Sequence, residues 1–351
     1  MKHTLTLLTA LLLAPLAVLH AADAPGPFAV ETVTSIKIRD EKRGKDIEAL
    51  VRLPKNDGGK LPLIVFSHGF GAGEQAFGPV SDNWASHGFV VVHPKHADAA
   101  MGARLRGGDT KQAIGESDEA KKSALREKVR EMLREGRTSG GGFSSPDLAA
   151  GRVADVVAML DGIAQIEKAV PALAGRIDRE RIAVAGHSFG AATTLLIGGA
   201  TTGSGGAEKS HADPRVRCLI VFSPSGAGEY GFTEASWAKL KLPMLFVTGT
   251  RDFRPGRPIE WRREAFDHCA QGSKYLLILD GATHFNLGGG PPGMVARFGS
   301  YANASSYTKA VKAVSGAFLE ATLKASSSAR ESLTPAAVSA LSPKVKSFET
   351  R

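Results

Sequence analysis

The pentapeptide Gly186-His187-Ser188-Phe189-Gly190 places one serine midway between two glycines. It follows the apolar run Arg181-Ile182-Ala183-Val184-Ala185 and precedes a helix-like stretch from Phe189 to about Gly198. Strand, tight turn, helix is the setting in which a G-x-S-x-G serine becomes a nucleophile. The turn tolerates only small flanking residues, and it lifts the serine hydroxyl above the sheet. It also sets the Phe189 N–H at a helix N-terminus, where backbone donors suit an oxyanion.

A serine hydroxyl is a weak nucleophile and requires a base, and the base an orienting acid. His284 stands in Asp280-Gly281-Ala282-Thr283-His284-Phe285, just past an apolar run, and Asp252 in Thr248-Gly249-Thr250-Arg251-Asp252, just past the run before it. In a parallel sheet, functional residues gather at the carboxyl ends of strands. The order Ser188, Asp252, His284 is the one expected for a triad on such a sheet. Asp280 is the rival acid, although it shares a strand with His284. A second oxyanion donor is expected from Ser67-His68-Gly69-Phe70-Gly71, where Gly69 and Gly71 allow close backbone approach and Phe70 supplies its N–H.

The remaining histidines read otherwise. His93 and His96 have H-x-x-H spacing but straddle Pro94 at a strand end, without the helix that a zinc-binding pair requires. His68 and His187 flank the reactive positions and are read as orienting loops. No metal and no cofactor is expected.

Alternating apolar runs must position these residues. Val33 to Ile38 and Ile47 to Leu53 read as a hairpin about Arg43-Gly44. Leu61 to Phe66 is apolar throughout, as in a strand buried on both faces. A helix is expected to reach about Trp84, followed by a strand from Phe89 to Val92. Pro146 opens a helix carrying Val153, Val156, Val157, Leu160 and Ile163 at helical spacing. Further strands are expected at 181–185, Cys218 to Phe222, Met244 to Val247 and Tyr275 to Leu279. Helical segments are expected near Glu234 to Leu240, Pro258 to Cys269 and Tyr307 to Leu323. This βα alternation predicts an α/β fold: a mostly parallel central sheet with helices on both faces.

Three segments stand outside the alternation. Residues 97–145 follow the fourth strand, where a connection usually has two to six residues. They hold a helix candidate, Ser117 to Arg137, with Leu125, Val129, Met132 and Leu133 on one face, and the insertion is expected to be either a lid or surface decoration. Residues 325–351, rich in Ser, Ala, Thr and Pro, are expected to be a weakly ordered tail. Residues 1–24 read as a signal peptide: Lys2 and His3, an apolar run from Leu5 to Leu19, then Ala21, Ala22 and Ala24. That leaves 25–324 as the principal domain of an exported, periplasmic or extracellular protein without a transmembrane segment. In an oxidising compartment Cys218 and Cys269 are candidates to pair, although Cys218 opens an apolar run where a buried thiol is the alternative.

Composition excludes other classes. With 43% hydrophobic and 23% charged residues the 351-residue chain is not disordered, and two cysteines cannot build a disulfide scaffold. The net charge is +9, but 44 basic and 35 acidic residues are interspersed without a run of five Lys or Arg. A clustered nucleic-acid footprint is therefore missing.

Together, Ser67-His68-Gly69-Phe70-Gly71, Ala85-Ser86-His87-Gly88-Phe89-Val90-Val91, Gly186-His187-Ser188-Phe189-Gly190 and Asp280-Gly281-Ala282-Thr283-His284-Phe285 resemble the α/β-hydrolase superfamily. Over about residues 30–322 the chain looks most like dienelactone-hydrolase-like esterases, related to platelet-activating factor acetylhydrolase, chlorophyllase and secreted polyester hydrolases. The resemblance implies Ser188 as nucleophile, Asp252 and His284 as its partners, and the Phe70 and Phe189 amides as oxyanion hole. The expected function is hydrolysis of a small or lipid-like carboxylic ester through an acyl-enzyme. The alternatives are a peptidase or amidase on the same fold, or a silent binding module.

Overall fold

The computed structural model describes residues 14–56, 58–99, 146–203, 208–288 and 303–351. The principal strands are β1 (Val30–Asp40), β2 (Lys45–Pro54), β3 (Leu61–Ser67), β4 (Val90–Pro94), β5 (Ile177–His187), β8 (Val216–Phe222), β9 (Met244–Arg251), β10 (Lys274–Thr283) and β11 (Val345–Thr350). They form a nine-stranded sheet in the order β1-β2-β4-β3-β5-β8-β9-β10-β11. Strands β6 (Thr201–Thr202) and β7 (Lys209–Ser210) make a separate two-stranded ribbon. The centre, from β4 through β3, β5, β8 and β9 to β10, is parallel, whereas β2 runs antiparallel to β1 and β4, and β11 to β10.

The apolar runs are continuous because alternate residues enter two cores. In β8, Leu219 and Val221 face one core, whereas Cys218, Ile220 and Phe222 face the other. The first core is covered by α2 (Pro146–Asp161), α3 (Ile163–Ala169), α4 (Phe189–Ile197) and α5 (Glu264–His268). The second is covered by α1 (Gly78–Ser86), α6 (Ala304–Leu323), α7 (Ser327–Ser332) and α8 (Pro335–Ala340). Residues 14–23 are helical and add Leu19 and Ala22 to the second core. Among the described residues no helix is long and apolar enough to cross a membrane.

Several expectations are corrected. Residues 325–351 are not a loose tail: Leu333, Ala337, Val338 and Phe348 are buried, and β11 extends the sheet beyond β10. The helix opening at Pro146 runs to Asp161 and gives way at Gly162 to a second helix, Ile163–Ala169; the chain at Gly162 passes so close to Ile38 that a Cβ there would collide with it. The helix expected near Glu234 is one 3₁₀ turn, Glu234–Trp237, and the one near Pro258 is a 3₁₀ turn, Ile259–Arg262, followed by the short α5. Cys218 and Cys269 are free thiols, the first buried in one core and the second in the other, so the sheet stands between them. Of the insertion at 97–145 only residues 97–99 are described; its helix candidate and the proposed lid lie outside the described residues. So do residues 1–13 of the N-terminal apolar segment.

Candidate active site

Ser188 occupies the turn between β5 and α4 with φ 56° and ψ −113°, backbone space that L-residues rarely enter. Its neighbours explain the two glycines. A Cβ at Gly186 would strike the Gly190 carbonyl, and one at Gly190 would strike the Ser67 carbonyl. The register pairs Ser67 of β3 with Gly186 of β5, so the His68–Gly71 loop emerges beside the serine turn. Phe189 begins α4, where the first N–H groups have no acceptor within the helix.

His284 immediately follows β10, and its Nε2 lies 2.9 Å from Ser188 Oγ. Its Nδ1 lies 2.9 Å from Asp252 Oδ1. A carboxylate only accepts, so Nδ1 donates to Asp252, which leaves Nε2 facing the serine hydroxyl. Asp252 follows β9 and is fully buried, and Thr248 Oγ1 donates to its Oδ2 at 2.9 Å. Burial alone would push its carboxyl up. The hydrogen bond and charge of His284, with the charge of Arg262, outweigh burial and hold it well below the usual carboxylate range. Asp280 is exposed and accepts instead from Thr250 Oγ1 at 3.4 Å.

The other histidines are structural by their contacts. His187 Nε2 donates to the His284 carbonyl at 2.9 Å, and the two rings lie 4.8 Å apart. Burial and the neighbouring His284 push the His187 imidazole down to about 3. His93 Nε2 meets Ser81 Oγ at 3.0 Å. His96 Nδ1 donates to Asp155 Oδ2 at 2.8 Å, while its Nε2 accepts from Ser67 Oγ at 2.9 Å. This buried serine–histidine–aspartate chain repeats the polar order of the site, but Ser67 is fully buried and meets no solvent. Among the described residues no cluster of His, Cys, Asp or Glu could hold a metal ion.

Sequence reasoning passed over four charged residues around the site. Arg262, 4% exposed, donates from Nε to the Asp252 carbonyl and from Nη1 to the carbonyls of Ser223 and Pro224. Arg152 and Asp98 brace the loop after β3, and Asp155 holds His96. One signal for Arg152 was present: it shares a helix face with Ala149, Val156 and Met159, a position where an unpaired charge is costly.

A mostly parallel sheet covered on both faces, with its serine turn at the carboxyl edge, defines the α/β-hydrolase class. Within that class the chain belongs to the family described as platelet-activating factor acetylhydrolase, isoform II, which it matches over residues 45–291. That span includes Phe70, Ser188, Asp252 and His284. The chain is 28% identical over 237 residues to platelet-activating factor acetylhydrolase of Canis lupus familiaris, covering 67% of this chain and 49% of that protein. It is 27% identical over 238 residues to the protein of that name from Cavia porcellus, covering 67% and 50%. The match to the Gallus gallus protein of that name is 29% over 245 residues, covering 65% and 52%. The chain thus spans about half the length of these relatives.

Proposed function

We propose that this chain is an exported serine hydrolase that cleaves a carboxylic ester of a small or lipid-like substrate. The observation that carries the reading is the array in which Ser188 Oγ stands 2.9 Å from His284 Nε2 and His284 Nδ1 stands 2.9 Å from Asp252 Oδ1. Ser188 Oγ attacks the ester carbonyl while His284 takes its proton, and Asp252 steadies the resulting imidazolium. The oxyanion of the tetrahedral intermediate is received by the amides of Phe70 and Phe189. His284 then returns the proton to the leaving alcohol, and a water activated by the same imidazole releases the acid and regenerates Ser188. The relatives are named as acetylhydrolases of platelet-activating factor, which directs the search to short acyl groups.

The test is a fluorophosphonate label followed by p-nitrophenyl acetate turnover on the purified chain. Ser188→Ala is expected to abolish labelling and to lower kcat by about 10⁴ or more. A variant that keeps a tenth of the parent activity would place the nucleophile elsewhere. Export is tested separately by the mass of protein recovered outside the cytoplasm, which should begin just after Ala21, Ala22 or Ala24; an intact Met1 would refute it.

A further inference from the structure

Arg152 lies on α2, 3% exposed, in a position where a helix facing the sheet would ordinarily carry an apolar side chain. A buried guanidinium is tolerated only if its donors are used. Here Nε and Nη2 grip the two oxygens of Asp98 at 3.0 and 2.7 Å, a planar two-point pairing that arginine makes and lysine cannot. Nη1 also donates to the His68 carbonyl, and Nη2 to the Gly69 carbonyl at 3.3 Å. Asp98 Oδ2 in turn accepts from the Gly71 N–H at 2.7 Å. Phe70 is thereby bracketed: the carbonyl before it and the N–H after it are both tied to one ion pair. The same guanidinium lies 4.2 Å from the centre of the Phe189 ring, within cation–π range.

We propose that Arg152, held by Asp98, is a positioning residue for the oxyanion hole, fixing the 68–71 main chain and the Phe189 residue from a single rigid group. This inference rests on the serine-esterase reading above, in which Phe70 and Phe189 supply the two amides. Hydrogen-bond donors stabilise a developing oxyanion only when they are already aimed, and removing one such donor costs about 10² to 10³ in kcat. A loop freed from Arg152 would have to be ordered during the reaction, so the loss falls on the transition state and not on substrate binding.

The experiment compares parent, Arg152→Lys and Asp98→Asn as full chains. It measures kcat and KM on p-nitrophenyl acetate, inhibition by an alkyl trifluoromethyl ketone, and thermal midpoint. The ketone forms a hemiketal with serine whose oxyanion occupies the hole. Arg152→Lys is expected to lower kcat by about 10- to 1,000-fold with KM within threefold, and to weaken the ketone by the same factor as kcat/KM. Asp98→Asn should lower kcat and weaken the ketone by smaller factors, with KM again within threefold. It is isosteric and sits at the edge of the pair, which keeps the test open if Arg152→Lys does not fold. The proposal is overturned if kcat per fluorophosphonate-reactive site is unchanged while the thermal midpoint falls. It is equally overturned if KM alone rises, or if ketone affinity does not follow kcat/KM. The esterase reading fails on a different result, namely turnover by the parent that Ser188→Ala retains.

Discussion

Arg262 Nη2 lies 3.1 Å from Asp252 Oδ1, the same carboxylate oxygen that His284 Nδ1 approaches at 2.9 Å. Beside the hydrogen bonds from His284 and Thr248, Arg262 gives this fully buried carboxylate a cationic partner and ties Asp252 to the carbonyls of Ser223 and Pro224. Arg262→Met should therefore lower kcat on p-nitrophenyl acetate by about 10- to 100-fold, the worth of about 1.5–3 kcal/mol for a hydrogen bond to a charged group. Parent-like kcat in a folded Arg262→Met chain would show that the acid stands without it.

The two candidate acids are separated by geometry. Asp252→Asn leaves the shape intact but removes the charge that steadies the imidazolium, and is expected to lower kcat by about 10⁴. Asp280→Asn, at an exposed side chain whose hydrogen bond is to Thr250, should stay within about threefold, since exposed substitutions away from such features cost little. Steady-state rates of both variants decide this; the opposite ranking would transfer the role to Asp280.

The parallel centre of the sheet was legible because its strands are buried on both faces, so β3, β8 and β9 appear as unbroken apolar runs. Ser188, Asp252 and His284 were legible as candidates because each immediately follows such a run. The C-terminal strand was not. β11 reads Val-Lys-Ser-Phe-Glu-Thr, an edge strand anchored chiefly by Phe348, and its composition resembles a linker. The contacts of Arg152, Asp98 and Arg262 were illegible for another reason. Their partners lie 10 to 85 residues away in sequence, mostly on carbonyls and carboxylates that only the folded sheet brings near.

Gly190 tests the packing of the serine turn. Any Cβ at this position meets the Ser67 carbonyl, which β3 holds in register with Gly186, so neither side can yield cheaply. Gly190→Ala should cost at least about 2 kcal/mol, in the upper part of the range for overpacking, and should lower the fluorophosphonate labelling rate. Urea unfolding and labelling kinetics measure both. Unchanged values would mean that the turn is looser than its contacts indicate.

Stability should depend on pH through imidazoles that the fold keeps neutral. Burial is the first cause in each case: it holds His68 and His93 well below their ordinary range, His96 at about 4 and His187 at about 3. In the unfolded chain each titrates near about 6.5. Below that value the unfolded state binds more protons than the folded one, so stability is complete above about pH 6.5 and is lost as pH falls toward the folded values. Each group contributes a slope of up to about 1.4 kcal/mol per pH unit. The urea midpoint should therefore drop between pH 7.5 and 5, and His96→Gln should make that drop shallower. A midpoint that is flat over this interval would contradict the linkage.

The C-terminal strand determines whether the sheet ends at β10 or beyond it. Phe348 is 3% exposed and stacks on Tyr275 with ring centres 5.7 Å apart, and Tyr275 meets Phe318 of α6 edge-on at 5.9 Å. Around it, Glu349 pairs with Arg263 at 2.7 Å, and the Arg351 N–H donates to the Lys274 carbonyl at 2.9 Å. Removing so buried a ring should cost about 3–5 kcal/mol, so Phe348→Ala should lower the urea midpoint substantially. The loss should fall on stability and not on chemistry: His284 leaves the opposite end of β10, beyond the residues paired with β11, so kcat per labelled site should match the parent. Deleting 342–351 should go further, baring the β10 edge and promoting aggregation. If Phe348→Ala unfolds at the parent urea concentration, the last strand contributes nothing to the sheet and the edge is β10 after all.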